Sequence, residues 1–595
     1  MERRLNGLLF LWHKGAVRKL YSSDPPDNLL NFTFQLNTII FMDNKAISKL
    51  FKLCSQLMEL YDENPFRIKG LASAGFKIEK LPTSAANLTL EELSAQPGIG
   101  KSTAEKVQQI ITTGTFPELS LLLEKTPVGI QEMMKIKGLG PKKVKVIWQD
   151  LGIESVGELY YACNENRLMD AKGFGYKTQE DIKKAIEFAT ANEGWFLYAR
   201  ALPAAAMIFK HMRDNLPKDA QLSYTGDFRR KSEVLQRIEL ITDAEILLVE
   251  NIVGNLKYEL QLEENATSLT FKDENNFSFC IYIAEKNNFG TKLLLTTGSK
   301  THFEKLVEID RNIPSLASEE AIYNQLGLAY IAPELREGLD EIMLAKDNKL
   351  PTLIQFEDLK GTLHNHSTYS DGVHSLSEMA NYSKNELGLQ YFGICDHSKT
   401  AVYANGLSID RIQQQWSEID QLNQQLAPFK ILKGVESDIL SDGSLDYPAE
   451  ILSQFDFVVA SIHSNLKMDE DRATQRLITA IENPFTTILG HPTGRLLLSR
   501  AGYPIDYKKV IDACAANQVV IEINANPLRL DMDWRWHRYA VSKGVLFSIN
   551  PDAHRMEGLW DMHHGIAVAR KGGLSKENCL NAMSLAQIEN YFHKK

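Results

Sequence analysis

The feature that most constrains the fold is a series of short β-type runs within residues 359–595, such as YFGICDH, FVVASIH and TTILGHP. Each run is followed by a helical stretch of about ten residues or more. Short apolar runs that alternate with helical stretches indicate parallel strands joined by helices. We therefore expect this part of the chain to form an α/β barrel or a doubly wound sheet.

Seven of these runs end in residue types that bind metal ions. In chain order, the ends carry His364 and His366, Asp396 and His397, Glu436 and Asp438, His463, His491, Glu522 and Asn524, and Asp552 and His554. In barrels built from βα units the carboxyl ends of the strands carry the chemistry, whereas core packing requires neither His nor Asp there. Mixed imidazole and carboxylate ligands favour Zn²⁺, Mn²⁺ or Fe²⁺ over Mg²⁺ or Ca²⁺. The pattern predicts a metal centre at one end of the sheet.

The stretch GTLHNHSTYSDG opens this region. Alternation along a strand places His364 and His366 on one face, and Asp371 follows His366 by five residues. Two imidazoles with a carboxylate close behind can bind a divalent ion. Taken alone, the stretch would also suit surface histidines in a polar loop, but the other strand ends favour the metal site.

Three glycine-containing turns stand between helical patterns in residues 42–195. The candidate DNA-binding residues in and beside these turns are Gly98, Gly100, Lys101, Lys106, Gly138, Gly140, Lys142, Gly173 and Gly175. A Gly-apolar-Gly turn that opens a helix presents backbone N–H groups and the positive end of the helix dipole to a phosphate. The turns resemble helix-hairpin-helix motifs, which hold the DNA backbone without reading its sequence. The alternative is ordinary packing of helical hairpins with solvated lysines.

The segment LSYTGDFRRKSEVLQRIELI, residues 222–241, resembles the palm signature of family X DNA polymerases. The matching positions are Gly226, Phe228, Arg229 and Arg230, and residues 297–300 and 326–338 resemble the thumb of the same family. With these anchors the resemblance covers residues 42–340. It implies a vestigial nucleotide-binding role for Gly226 and Arg230. It also places Lys106 where the family has the lysine that forms a Schiff base.

The chain departs from this family where the polymerase metals bind. Polymerisation needs carboxylates that hold two divalent ions. At the family's D-x-D pair this chain has Arg237 and Glu239, and the register set by residues 289–290 places Cys280 at the third carboxylate position. An arginine in the pair brings a positive charge where a cation should bind, so we expect the polymerase core to be inactive. The core could still hold DNA, or serve as a structural domain without a ligand.

The ligand types at the strand ends resemble the PHP superfamily (polymerase and histidinol phosphatase), whose fold is a distorted seven-stranded barrel with three metal ions. The resemblance implies nine ligands, namely His364, His366, Glu436 and Asp552 for one ion, Glu436, His463 and His491 for a second, and Asp371, His397 and His554 for a third. For catalysis, we expect Glu436 to lie beside the attacking water and Arg495 to bind the phosphate. Asp552 and Asp396 are expected to accept or orient protons. The alternative for Arg495 is an ordinary surface arginine.

Helix-hairpin-helix turns, a polymerase-like core and a metal barrel together predict an all-α N-terminal region, an α+β palm and thumb, and a C-terminal α/β barrel. This combination looks like bacterial family X polymerases with a C-terminal PHP domain. It implies a repair enzyme for DNA ends, as a 3′–5′ exonuclease, 3′-phosphatase or abasic-site nuclease on gapped, nicked or 3′-end-bearing DNA. The alternatives are a small-molecule phosphatase of the histidinol-phosphatase kind, an active DNA polymerase if the palm alignment is wrong, and a DNA-binding scaffold.

Composition restricts the binding partners and the cellular environment that we expect for the chain. A net charge of −10 argues against a general polyanion binder but not against a local basic patch. Six scattered cysteines without a CxxC pair indicate a reduced setting. No apolar run approaches the roughly 18 residues of a membrane span. We expect a cytoplasmic monomer with no membrane partner.

The predicted domain boundaries follow from these motifs. Residues 1–41 are expected to be a poorly ordered N-terminal extension. The other domains are a lyase-like helix-hairpin-helix domain (42–125), a fingers-like helix-hairpin-helix region (126–195), a degenerate palm (196–285), a thumb (286–345), a linker (346–358) and a PHP phosphoesterase domain (359–595).

Overall fold

The computed structural model describes residues 43–594 apart from residues 82, 137, 170, 172, 191–193, 257, 259 and 263–266. The chain divides into two compact units. One contains the chain up to Ser55 with Phe66–Ser120, and the other contains Gln56–Pro65 with Leu121–Lys595. The predicted N-terminal extension, residues 1–41, lies outside the described residues.

Residues 44–125 form five helices. They are α1 (Asn44–Leu60), α2 (Pro65–Glu79), α3 (Leu90–Ser94), α4 (Lys101–Thr113) and α5 (Pro117–Lys125). In the first unit Phe51 packs against Phe116 with 5.5 Å between ring centroids, and Ile110 is fully buried. Helix α3 begins after Thr89 because the Thr89 hydroxyl accepts a hydrogen bond from the N–H of Glu92, whose carboxylate accepts one from the N–H of Thr89.

Five more helices follow in the second unit. They are α6 (Val128–Met133), α7 (Pro141–Lys145), α8 (Val156–Asn164), α9 (Tyr176–Thr190) and α10 (Tyr198–Asn215). Helix α7 continues into a π-helical turn over Val146–Asp150. Helix α8 begins after Ser155, which makes the same reciprocal contact with Glu158. We refer to residues 128–190, which contain α6 to α9, as the second helix-hairpin-helix region.

The palm is built from seven short strands and two helices that follow α10. The strands are β1 (Phe196–Leu197), β2 (Leu222–Thr225), β3 (Val234–Leu235), β4 (Ile238–Thr242), β5 (Leu260–Leu262), β6 (Ser268–Lys272) and β7 (Ser278–Ile283), and the helices are α11 (Gly226–Arg229) and α12 (Ile246–Gly254). Strands β2-β4-β7-β6-β5 form one sheet in that order, while β1 pairs with β3. Within the sheet β4 and β7 run parallel and the other neighbours run antiparallel. Ile208 of α10 and Leu240 of β4 are fully buried in one hydrophobic core.

The thumb is helical and is tied to the palm by a buried ion pair. Its helices are α13 (Phe289–Thr297), α14 (Lys300–Ile309), α15 (Glu319–Gln325) and α16 (Glu341–Lys346). Glu319, at the start of α15, accepts hydrogen bonds from Arg229 of the palm and from the fully buried Arg336. One carboxylate therefore lies between two guanidinium groups at the palm–thumb boundary.

The C-terminal domain contains a sheet of seven parallel strands in sequential order. Its strands are β8 (Gly361–Thr362), β9 (Tyr391–Ile394), β10 (Lys430–Asp438), β11 (Phe457–Ser461), β12 (Ile488–Leu489), β13 (Val520–Asn524) and β14 (Phe547–Asn550). Its helices are α17 (Leu376–Asn385), α18 (Ile409–Leu426), α19 (Ala449–Leu452), α20 (Glu470–Ile481), α21 (Tyr507–Asn517), α22 (His537–Ser542), α23 (Met562–Lys571) and α24 (Leu585–Lys594).

The first and last strands of this sheet meet beyond their carboxyl ends. The N–H of Asp552 donates to the carbonyl of His364 at 3.1 Å, and the N–H of His366 donates to the carbonyl of Ala553 at 2.9 Å. These hydrogen bonds bring the sheet to a nearly closed barrel. The predicted fold, with an all-α front, an α+β palm and thumb and a C-terminal α/β barrel, is confirmed.

Two compositional expectations can be compared with the structure. All six cysteines are buried. Among the helices of the described residues, none is long and apolar enough to cross a membrane.

Candidate metal centre

The nine predicted ligands lie at or just beyond the carboxyl ends of the barrel strands. Glu436 lies within β10, His463 follows β11, and His491 follows β12. Seven of the nine are buried, and Asp371 and His463 are half-buried. Polar side chains at this depth require partners, so their immediate neighbours decide what the cluster can bind.

Glu436 is the centre of the cluster. Its Oε1 atom lies 3.0 Å from Nε2 of His491, 3.1 Å from Nε2 of His463 and 3.3 Å from Nε2 of His364. Its Oε2 atom lies 2.9 Å from Nδ1 of His397. Burial acts to raise the pKa of Glu436, but the neighbouring imidazoles hold this pKa well below its usual value. An ionised carboxylate is thus surrounded by four ring nitrogens.

Two aspartates extend the cluster. Asp371 has carboxylate oxygens 3.4 Å from Nε2 of His554 and 3.6 Å from Nε2 of His397, and Oδ1 of Asp552 lies 3.1 Å from Nε2 of His366. Within each of three groups, the ligand atoms all lie within 4.8 Å of one another. The groups are His366, Asp371, His397 and His554; His364, His366 and Asp552; and His397, Glu436 and His463.

Several buried ligand atoms of this cluster make no well-aligned hydrogen bond among the described residues, although Nδ1 of His397 and Oε2 of Glu436 are 2.9 Å apart. They are Nε2 of His364, Nδ1 of His366, Oδ2 of Asp371, Nδ1 of His397, Oε2 of Glu436, Nδ1 of His491 and Nε2 of His554. Buried polar atoms in proteins are nearly all bonded, and atoms that bind one metal ion at about 2 Å stand roughly 3–4 Å apart. Unpartnered imidazole and carboxylate atoms at such separations fit divalent ions such as Zn²⁺, Mn²⁺ or Fe²⁺.

Two further carboxylates orient the imidazoles. Nδ1 of His364 is hydrogen-bonded to Oε1 of Glu522 at 2.6 Å, and Nδ1 of His463 is hydrogen-bonded to Asp438. Glu522 also accepts a hydrogen bond from the N–H of His491 at 2.8 Å. Because the Nδ1 atoms of His364 and His463 are held in this way, their Nε2 atoms point at Glu436. Sequence analysis placed Glu522 and Asp438 at strand ends without giving them a role.

The carboxylate of Asp396 has hydrogen-bond partners outside the ligand set, and its role in proton transfer stays a prediction. Its carboxylate accepts hydrogen bonds from the N–H and the hydroxyl of Ser367 at 2.8 and 2.7 Å, and from the side-chain amide of Gln415 at 2.6 Å. The N–H and hydroxyl of Ser370 donate to it as well. Asp396 therefore organises the loop that precedes Asp371, since its oxygens are engaged there and not with the ligand atoms.

Arg495 also has protein partners in the structure, and its role as a phosphate ligand stays a prediction. Its guanidinium donates to the carbonyl of Arg529 at 3.0 Å, to the carboxylate of Asp533 at 2.9 Å and to the carbonyl of Leu530. The chain turns at Gly494, which has a φ of +61°, and Arg495 lies against residues 529–533 instead of the metal centre. It holds that segment in place.

Sequence analysis missed three residues at this centre. Nε of Arg529 lies 3.8 Å from Oδ2 of Asp552, and the hydroxyl of Tyr161 lies 3.5 Å from the same oxygen. Glu165 has a carboxylate oxygen within 4.8 Å of ligand atoms of Asp552 and His554, and burial raises the pKa of Glu165 to about 7. Tyr161 precedes Asp552 by 391 residues, so no local pattern in the sequence connects them.

The palm has a different arrangement at the positions where the sequence predicts the polymerase carboxylates. Oε1 of Glu239 accepts hydrogen bonds from Nε of Arg237 and from the hydroxyl of Tyr282, both at 3.0 Å. Cys280 is the direct neighbour of Glu239 across the parallel strands β4 and β7. The three positions that the alignment singled out are therefore adjacent, and they bring together one guanidinium, one carboxylate and one thiol.

The two predicted nucleotide-binding residues have protein neighbours, those of Gly226 in the palm and those of Arg230 in the thumb. A Cβ atom at Gly226 would lie 1.7 Å from Oε2 of Glu239, so the glycine makes room for that carboxylate. Arg230 donates to Glu337 at 3.0 Å and to the carbonyl of Thr297 at 2.6 Å.

Comparison with known proteins agrees with this architecture. Three family profiles match the chain: a Helix-hairpin-helix domain over residues 42–116, a SAM-like Helix-hairpin-helix tandem over residues 130–187 and a PHP domain over residues 362–526. The DNA polymerase/3′-5′ exonuclease PolX of Bacillus subtilis (strain 168) is 34% identical over 574 residues, which cover 93% of this chain and 100% of that protein. The chain belongs to the family X DNA polymerases with a C-terminal PHP domain.

Other relatives of this family X member are similar to its barrel. A probable phosphatase of Thermoanaerobacter sp. (strain X514) is 28% identical over 243 residues, which cover 39% of this chain and 94% of that protein. The probable phosphatase YcdX of Escherichia coli O81 (strain ED1a) is 28% identical over 172 residues, which cover 27% of this chain and 62% of that protein. The matches support a metal-dependent phosphoesterase domain joined to helix-hairpin-helix domains that bind DNA.

The helix-hairpin-helix turns of the chain have the geometry of anion-binding helix starts. Gly98, Gly138 and Gly173 have φ angles of +79°, +92° and +90°, which glycine adopts readily. Gly100 and Gly140 precede α4 and α7, and neither helix start is capped by a side chain. The first backbone N–H groups of these helices can therefore bind a phosphate.

The remaining candidate DNA-binding residues lie in or next to helices α4, α7 and α9. Gly175 immediately precedes α9. Lys101 and Lys142 are exposed in the first turns of α4 and α7. Lys106 is half-buried, with its Nζ 3.4 Å from Glu118. DNA contact by these residues stays a prediction.

Proposed function

We propose that the chain is a metal-dependent phosphoesterase that acts on DNA ends in repair, as a 3′–5′ exonuclease, 3′-phosphatase or abasic-site nuclease. The observation that carries this proposal is the Glu436 cluster, which opens into a cleft of about 550 Å³. Five cationic side chains line the cleft, namely Arg167, Lys467, Arg472, Arg500 and Arg529. Ligand atoms for divalent ions beside cationic walls suit a phosphoester, because its oxygens carry negative charge throughout the reaction.

The ligand assignment remains that of the sequence analysis, with three divalent ions of Zn²⁺, Mn²⁺ or Fe²⁺. One ion would be held by His364, His366, Glu436 and Asp552, a second by Glu436, His463 and His491, and a third by Asp371, His397 and His554. When bound, such ions lower the pKa of water and neutralise phosphate charge.

The chain's own residues supply orientation. The ionised carboxylate of Glu436 directs the attacking water, and Arg529, whose Nε lies 3.8 Å from Asp552, binds the phosphate oxygens. Asp552 stays a candidate for accepting a proton near the reacting phosphate. Glu522 and Asp438 keep the imidazole rings in the orientation that faces Glu436.

In this proposal the N-terminal helix-hairpin-helix domains hold the DNA. Backbone amides at the helix-hairpin-helix turns contact phosphates without reading sequence, which suits an enzyme for gapped, nicked or 3′-end-bearing DNA. The matching helix-hairpin-helix profiles and the Bacillus relative, whose name includes 3′-5′ exonuclease, support this role. We expect the protein to act as a monomer in the cytoplasm.

The polymerase core is inactive in this proposal. A metal ion at the position of the family's carboxylates would meet the guanidinium of Arg237, which is already bonded to Glu239 at 3.0 Å. The neighbouring Cys280 supplies no carboxylate. One glutamate cannot hold the two ions that nucleotide transfer requires.

A second candidate function is hydrolysis of a small phosphomonoester by the barrel, with no part for the front end. The relatives of the barrel that are probable phosphatases favour it. The cationic residue Arg472, in the same cleft as the metal centre, favours a longer polyanion.

One assay separates these functions. Purified protein is incubated with Mn²⁺ and 3′-labelled DNA, and separately with p-nitrophenyl phosphate. We expect Mn²⁺-dependent shortening of the DNA. Fast monoester hydrolysis without loss of DNA would favour the second candidate. The double variant His364→Ala, His366→Ala should lose the activity, whereas His593→Ala, at an exposed position in α24, should retain it. Full nuclease activity in the double variant would remove the barrel from the mechanism.

A further inference from the structure

The cleft over the metal centre has walls from two distant parts of the chain. The barrel forms one wall, with His397, Glu436 and His463 at the base. The second helix-hairpin-helix region forms the other, through residues 151–154 and side chains of α8 and the turn that follows it. The second helix-hairpin-helix region, whose turns are expected to hold the DNA backbone, thus also lies directly against the proposed catalytic residues.

Helix α8 packs closely on the barrel. A Cβ atom at Gly157 would lie 1.7 Å from Oγ and 3.0 Å from Cα of Ser499, so the glycine permits backbone contact. The carboxylate of Glu158 accepts a hydrogen bond from Arg500 of the barrel at 2.5 Å. Both side chains of this pair are largely shielded from water, with 20% and 26% exposed, so the pair is less screened than a surface salt bridge.

Tyr161 reaches from α8 to the metal centre. Its hydroxyl accepts hydrogen bonds from Nε and Nη2 of Arg529 at 2.9 and 2.8 Å. The same hydroxyl donates to Oδ2 of Asp552 at 3.5 Å. Tyr161 and Arg529 are both buried. A guanidinium has five N–H donors, so Arg529 can bind two phosphate oxygens while it remains on Tyr161.

We propose that the second helix-hairpin-helix region is part of the phosphoesterase site, where Tyr161 is a positioning residue that holds Arg529 beside Asp552. The cleft between this region and the barrel receives the terminal phosphodiester of a DNA strand. The inference rests on the proposed phosphoesterase function and specifies its substrate. Arg167, which stacks on Tyr403 at 4.3 Å, adds a cation from the helical wall for a neighbouring phosphate.

A double-mutant cycle tests the positioning role. Tyr161→Phe removes the acceptor for Arg529, and we expect kcat/KM on single-stranded 3′-labelled DNA with Mn²⁺ to fall about tenfold because the guanidinium is no longer fixed. In an Arg529→Lys background the same change should matter less than about twofold, since the group that it positions is already lost. Metal content and unfolding temperature should stay unchanged in Tyr161→Phe. Tyr539→Phe is the matched control, because its hydroxyl donates to Asp512 on the barrel surface.

A second variant tests the docking of the helix. Gly157→Ala introduces a Cβ that collides with Ser499 and should displace α8, with about a tenfold loss of DNA cleavage. Gly254→Ala, where the nearest atom to the added Cβ is 3.9 Å away, should have no effect. If Gly157→Ala fails to fold, the double-mutant cycle decides alone.

Each outcome counts for or against the inference. Full activity in Tyr161→Phe, effects of Tyr161→Phe and Arg529→Lys that simply multiply, or unchanged or higher activity in folded Gly157→Ala would each overturn it. Absence of Mn²⁺-dependent DNA cleavage in the unmodified protein would instead overturn the proposed function on which it rests.

Discussion

The palm and the barrel each contain a glutamate within a strand that has a parallel neighbour, but the side chains around the two glutamates differ. In the palm, Glu239 is hydrogen-bonded to Arg237 and Tyr282. In the barrel, Glu436 faces four imidazole nitrogens at 2.9 to 3.3 Å. Arginine is a cation that cannot give up its charge, whereas a neutral imidazole offers a lone pair. The neighbours, more than the carboxylate, decide whether a metal ion can bind.

The largest expected effect comes from removing the charge at the centre of the barrel. Glu436→Gln keeps the size of the side chain but weakens it as a ligand, and we expect DNA hydrolysis to fall by about a thousandfold or more. Bound metal per protein, measured by elemental analysis after gel filtration, should fall as well. Glu450→Gln, at an exposed position in α19, is the control. If Glu436→Gln keeps its metal content, then the carboxylate of Glu436 is not needed to bind metal, and the contrast with Glu239 of the palm fails.

A smaller effect, a loss of stability, is expected when the buried carboxylate of Glu319 is removed. Glu319→Gln leaves Arg229 and Arg336 without their buried counter-charge, and removing one partner of a buried pair costs about 3–5 kcal/mol. Urea unfolding followed by circular dichroism should show this loss. Glu320→Gln, exposed one residue further along, should change the free energy of unfolding by less than about 0.5 kcal/mol.

The interaction of Glu319 with the two arginines should also make the free energy of unfolding depend on pH. Burial acts to raise the pKa of Glu319, but Arg229 and Arg336 hold it below its usual value of 4.5. A carboxyl group with a lowered pKa in the folded state contributes stability that is present above pH 4.5 and is lost as pH falls through the folded-state pKa. The difference in unfolding free energy between the unmodified chain and Glu319→Gln should therefore shrink below pH 4.5. A difference that grows on acidification would contradict the assignment of the ion pair.

The smallest expected signal is nucleotide addition by the palm. With a primed template, dNTPs and Mg²⁺ or Mn²⁺, the unmodified chain should extend no primer, because Arg237 lies where a cation would bind. Gel analysis of primer length measures this directly. Clear extension would show that Arg237 and Glu239 do not occupy the positions of the family's aspartates.

The barrel centre could be predicted because its ligands follow from topology. Parallel strands bring their carboxyl ends to one edge of the sheet, independent of the loops that join them. His364, Glu436 and His491 therefore meet, although His364 and His491 are 127 positions apart in the sequence. Arg495 could not be placed in the same way. It lies in a loop after β12, and the direction of that loop depends on tertiary contacts with residues 529–533.

The contact of Tyr161 with Arg529 lay beyond sequence reasoning for a related reason. The two residues are 368 positions apart, and neither lies in a motif that predicts a partner. A buried tyrosine on an amphipathic helix is typical of a core position. Only the docking of α8 on the barrel turns that position toward the metal centre.

The closure of the barrel sets an order of events during synthesis. Hydrogen bonds between the segments that hold His364 and Asp552 join the first and last strands, so the ligand set is incomplete until the ribosome has released residue 554. A nascent chain that has reached only the thumb already contains its helix-hairpin-helix turns. The roughly 200 residues between the thumb and His554 take about 10–40 seconds to add at translation rates of about 5–20 residues per second. Such a chain exposes its helix-hairpin-helix turns for that time before its metal-ligand set is complete.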